Sequence, residues 1–183
     1  SATIASYNIG HDNKSYTAGY TFGYNNTTNK GFSIGSNNST NEGGYAFGTN
    51  NTVTNGSFAI GAKNSTKYGA FTFGEGNTAT SGGLTFGKDS NSEDSIIFGH
   101  NCGAINGSIA IGYNMTTYTG SIAIGAGNYA KDASFIIGNY NTANKGTTTI
   151  GDYNSATYTD IIGNKNEINK DILNNSGLSS ENY

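Results

Sequence analysis

The chain has 183 residues, of which 28 are Gly, one is Cys and none is Pro or Trp; only 11 % are charged and the net charge is −3. Nine basic residues in all exclude the dense Lys/Arg face of a nucleic-acid clamp, and one Cys excludes a disulfide framework or a thiol metal cage. Apolar runs of three or four residues cannot cross a membrane as a helix, and no basic-then-apolar leader opens the sequence.

Read from the N-terminus, the chain is a repeat. Glycines that follow a large apolar residue stand at 10, 23, 35, 48, 61, 74, 87, 99, 112, 125, 138, 151 and 163, separated by 13 or 12 residues. The three short intervals end at Gly35, Gly99 and Gly163, an equal spacing that suggests duplication of a five-turn block. The residue before each marker Gly is Ile or Phe, from Ile9 and Phe22 to Ile150 and Ile162. Three before the marker stands a second large residue, from Tyr7 and Tyr20 to Ile122 and Phe135, until Thr148 and Asp160 break the column.

Large residues at alternate positions have the period of a β-strand. Three after the marker, Asn recurs, as at Asn13, Asn51, Asn77 and Asn141, and five after it comes a small residue, as at Ser15, Thr66 and Ala130. The position between them is polar in most turns, so a second strand alternates polar-out and small-in. Two strands and two tight bends per turn predict an all-β parallel solenoid of about 13 turns. Stacked at about 4.8 Å per turn, it is a rod about 58 Å long. Gly at the bends supplies positive φ, Asn can ladder from turn to turn, and the lack of Pro suits a backbone that donates to its neighbour throughout.

The large columns are expected to fill each coil. The column two before the marker then faces outward, and it is Ala or Ile at Ala46, Ala59, Ile97, Ala110, Ala123, Ile136 and Ile161. A long apolar stripe of this kind reads as an interface, so self-association along the rod is expected through those seven residues.

The segments Gly107-Ser-Ile-Ala-Ile-Gly112, Gly120-Ser-Ile-Ala-Ile-Gly125, Gly56-Ser-Phe-Ala-Ile-Gly61 and Ala133-Ser-Phe-Ile-Ile-Gly138 resemble the repeat of YadA-like head domains, found in the trimeric autotransporter adhesins of Gram-negative bacteria. The following Gly-x-x-Asn-x-Ala/Thr stretches, such as Gly74–Ala79 and Gly138–Ala143, resemble its second half. The turns are shorter than the family's usual repeat, and Asn replaces its small residue three after the Gly. The resemblance implies a left-handed parallel β-roll assembled as a homotrimer over residues 1–168. It also implies a place at the bacterial cell surface, held to the outer membrane by an anchor elsewhere in the protein. Its implied activity is non-enzymatic binding of a host protein: collagen, another extracellular-matrix protein, or a carcinoembryonic-antigen-related cell adhesion molecule. No cofactor and no nucleic-acid partner are implied.

Other readings have their own residues. A trimeric segment of a phage tail fibre would use the same rod. Ice binding would need a regular Thr-x-Thr array, whereas the outward polar column mixes Lys, Ser, Asn and Glu. An enzyme would need clustered carboxylates or a catalytic His, and the twelve acidic residues are scattered. Cys102 takes an Asn-column position and reads as a small buried thiol, and His11 and His100 read as solvated. Tyr is the best candidate for partner contact: Tyr24, Tyr113, Tyr140 and Tyr153 follow the marker Gly, Tyr118 and Tyr158 lie near the opposite bend, and Tyr129 lies on the outer strand. The segment 169–183 either begins a neck leading to a stalk or is a disordered end.

Overall fold

Alternation assigns residues to two groups, and coil girth decides which group is inside. The computed structural model describes residues 2–3 and 5–169. Among them there is no helix, and the chain winds as a parallel β-solenoid of about 12 turns. One sheet stacks 13 strands, mostly of five residues such as Phe58–Ala62 and Phe71–Glu75; the other stacks 14 short strands such as Thr52–Thr54 and Thr78–Thr80. Every pairing is parallel and in register, so like residues lie on like: Phe58 pairs with Phe71 and Tyr45, and Gly61 with Gly74 and Gly48.

The grouping follows the alternation, but the inside and outside of the long-strand sheet are the reverse of the expectation. Ala46, Ala59, Ile97, Ala110, Ala123 and Ile136 are all fully buried inside their own coil, and Ile161 nearly so. The Ile/Phe column before the marker Gly points outward: Ile9 is 47 %, Ile60 40 % and Phe98 44 % exposed. The reason is space. Thirteen residues make a loop about 43 Å around, and strands of five and three residues leave about 8 Å for each bend. Facing layers of large side chains need sheets about 10 Å apart. Only small residues fit between these two sheets, so the bulky columns go outside.

The interior is therefore built of small groups. Ser57, Ala59, Thr66 and Ala70 are buried, as are their counterparts Ser121, Ala123, Ala130 and Ser134. Core hydroxyls bond across the coil, as Thr66 Oγ1 does with Thr72 Oγ1 at 2.7 Å and Ser108 Oγ with Thr117 Oγ1 at 2.9 Å. The larger aliphatic residues of this core, Val53, Ile97, Met115 and Ile136, fill places where a facing residue is small.

The expected Asn ladder forms at the first bend. Asn64 Nδ2 donates to Asn51 Oδ1 at 3.1 Å and to the carbonyls of Ile60 at 3.3 Å and Gly74 at 2.9 Å; its own Oδ1 accepts from the Asn77 amide at 3.0 Å. One side chain thus serves three successive turns, satisfying bend groups that no strand reaches. Ser90, Cys102 and Met115 interrupt the ladder before it resumes at Asn128. Beside it the residue two after the marker is left-handed in turn after turn, as at Asn25, Asn50, Lys63 and Tyr140. Asn tolerates that conformation better than most residues.

The second bend explains the two turn lengths. Thirteen-residue turns use two consecutive left-handed residues there, such as Asn55–Gly56 and Asn106–Gly107, whereas the short turns use one: Lys30, Asp94 or Tyr158. The omitted residue lies outside both strands, so the register of the core is kept. At the C-terminal end Glu167–Asn169 still pairs with Ser155–Thr157, which carries the winding to residue 169. The remainder of the expected neck or tail, 170–183, lies outside the described residues.

Candidate functional site

A thin rod with large residues outside presents surface rather than a cleft, and its three surfaces differ in chemistry. The outward face of the long-strand sheet is apolar over eleven successive turns, until Thr148 and Asp160 interrupt one column. Its two columns are Tyr, Phe, Ile and Leu from Tyr7 and Ile9 to Phe135 and Ile137. The rings pack along the rod: Phe73 and Phe86 stack at 4.5 Å between centroids with planes 4° apart, and Phe86 and Phe98 at 5.0 Å. Such a strip is about 48 Å long and about 10 Å wide, on the order of 500 Å² in projection. That is in the upper part of the range for the largest apolar patch a monomer leaves open. The signal that identified this face was in the sequence as the Ile/Phe columns, but it had been given to the coil interior.

The seven residues expected at the interface, Ala46, Ala59, Ile97, Ala110, Ala123, Ile136 and Ile161, cannot touch a partner, because their own coil covers them. Any association along this sheet uses the neighbouring columns instead, for example Phe58 and Ile60 on either side of Ala59.

The expected partner-binding tyrosines are all surface residues, but the fold separates them into three groups. Tyr24, Tyr113, Tyr140 and Tyr153 lie at the first bend, all more than half exposed. Tyr140 and Tyr153 stack at 5.1 Å, and Tyr24 and Tyr113 meet His11 and His100 at 5.7 and 5.4 Å. Tyr158 is an exposed left-handed residue of the second bend. Tyr118 and Tyr129 stand together on the short-strand sheet, their ring centroids 5.8 Å apart in an edge-to-face arrangement. Tyr68, at 63 % the most exposed tyrosine among the described residues, was passed over by sequence reasoning; it occupies the left-handed second-bend position that is Asn55 one turn earlier.

Apart from Tyr16 and Ile105, the rest of the short-strand sheet's outer face is polar, with columns such as Thr52, Ser65 and Thr78 beside Thr54, Lys67 and Thr80. Charges pair at the bends: Glu75 lies 3.6 Å from Lys63 and 3.7 Å from Lys88, and His100 lies 3.8 Å from Asp89. These groups are exposed, so the pairs contribute little to stability. Among the described residues no three of His, Cys, Asp and Glu gather as a metal would require. Cys102 is buried in the Asn column, where its Sγ lies 3.3 Å from the carbonyl oxygen of Gly112 and 3.4 Å from that of His100. Burial pushes its thiol pKa up, away from the thiolate that a nucleophile or redox centre needs.

No family model matches the chain, and no curated protein matches it. Among solved structures it is similar to a UDP-N-acetylglucosamine acyltransferase from Campylobacter jejuni, at 15 % identity over 88 % of this chain and 67 % of that one, with a TM-score of 0.18. It is also similar to the polySia-specific acetyltransferase NeuO, at 13 % identity over 91 % of this chain and 77 % of that one, with a TM-score of 0.12. At such scores neither likeness bears on what this chain does.

Proposed function

We propose that the chain is the head of a non-enzymatic bacterial surface adhesin, a left-handed β-roll of which three copies pack their apolar faces around a common axis. The observation that carries the reading is the division of the rod's surface. One sheet presents a Phe/Ile/Tyr face over eleven turns that water should not wet, and the opposite sheet presents mainly polar side chains. Covering the first with copies of the same face leaves the second, and the bends, pointing outward along the full length of the assembly. A parallel arrangement sets like turns side by side, and each turn repeats the last, so the contact extends over the rod without a change of geometry. The resemblance of the Gly-Ser-Ile-Ala-Ile-Gly repeats to YadA-like heads supports the same reading and supplies the adhesive role.

The test is solid-phase binding of the purified protein to collagen, other extracellular-matrix proteins and immunoglobulin-like receptors of the carcinoembryonic-antigen-related type. Saturable binding to at least one of them is expected. Binding to none of them contradicts the adhesin role.

A further inference from the structure

Among the described residues of the polar sheet, one pair of aromatic rings meets. On strands Gly103–Ile105, Thr116–Tyr118 and Tyr129–Ala130, Ile105 pairs in register with Tyr118, and Thr116 with Gly103 on one side and Tyr129 on the other. Tyr118 and Tyr129 therefore stand diagonally, and they meet edge to face. Tyr129 is 37 % exposed. At Gly103 the column, which carries Asn91 one turn before and Thr116 one turn after, has no side chain, and nothing lies within 4 Å of where its Cβ would be. The result is a small aromatic patch, one ring's edge against the other's face, with an open notch beside it.

We infer that this patch binds a neutral oligosaccharide chain, stacking a sugar ring on the ring face that the Tyr118–Tyr129 pair leaves open, with the notch at Gly103 giving room for the next. Three features select that chemistry. The exposed Tyr129 ring, braced by the half-buried Tyr118, offers an apolar face to the C–H face of a sugar, and Thr116 and Thr142 offer hydroxyl groups beside it. Glu93 and Lys131 stand on opposite sides of the patch, so it presents no net charge to an anionic or cationic ligand. A peptide has no purchase by strand addition, because each of these strands is already paired on both sides. The patch lies on the sheet opposite the apolar face, so association through that face leaves it open.

The assignment rests on the adhesin reading and names a ligand class for it. Saturation-transfer NMR and calorimetry with neutral hexasaccharides (β-1,4-linked glucose, β-1,4-linked N-acetylglucosamine and α-1,4-linked glucose) test it, beside an oligogalacturonate and a proline-rich peptide. At least one neutral hexasaccharide is expected to bind, with Tyr118→Ala and Tyr129→Ala each weakening it at least tenfold and Thr52→Ala leaving it unchanged. Both patch tyrosines point outward, so the variants should keep the wild-type circular dichroism. The inference is overturned if no neutral sugar binds, if the Tyr118→Ala/Tyr129→Ala double variant binds as wild type, or if only the peptide or the acidic sugar depends on these tyrosines. Loss of the sugar result with binding to the protein panel retained removes this inference alone; failure of both removes the adhesin reading with it.

Discussion

Gly61→Ala is expected to abolish the fold. The Gly61 φ of 122° lies where L side chains are rarely found, and a Cβ there would overlap the carbonyl oxygen of Gly74 in the next turn. That oxygen is fixed by the hydrogen bond it accepts from Asn64 Nδ2, so it cannot move without opening the ladder. Strain of this backbone class costs about 1–3 kcal/mol, and the overlap adds to it, taking the loss beyond about 4 kcal/mol. Gly56→Ala is the matched control. Its φ of 70° is also left-handed, but nothing lies within 4 Å of the added methyl, so it should cost only about 1–2 kcal/mol. Urea melts at equal protein concentration separate the two. Equal effects would mean that close stacking of turns at the marker glycines is not what selects Gly there.

Asn64→Ala is expected to cost about 3–5 kcal/mol, from the same kind of melt. The side chain is 1 % exposed, and its loss strands the Gly74 carbonyl oxygen and the Asn77 amide. Each buried group left unpaired costs about 1–3 kcal/mol, and the ladder on either side loses a link. Thr52→Ala, on the outer polar column one turn earlier, should change stability by less than about 0.5 kcal/mol. A small effect at Asn64 would contradict the ladder as a source of stability.

Much of this architecture was legible in the sequence, because every turn repeats the same message. The marker glycines gave the turn length, the alternation gave the strands, and Asn64 with its equivalents gave the ladder. What failed was the side of the sheet. Residues Phe58, Ala59 and Ile60 alternate equally well with either face inward, and the usual preference for large apolar residues inside chose wrongly. Only the girth of a 13-residue coil settles it, since Ala59 and Thr66 fit between the sheets and Phe58 does not. Grouping the tyrosines needed the fold: Tyr118 and Tyr129 are 11 apart in sequence and meet only because each turn shifts by nearly that much.

Everything functional in this account depends on the Phe/Ile/Tyr face being covered by copies of itself. Sedimentation equilibrium at low micromolar concentration reads this directly. The account predicts a single species of three times the 19.0 kDa protomer, keeping its β-sheet circular dichroism on dilution. A folded species at the protomer mass across that range would contradict it.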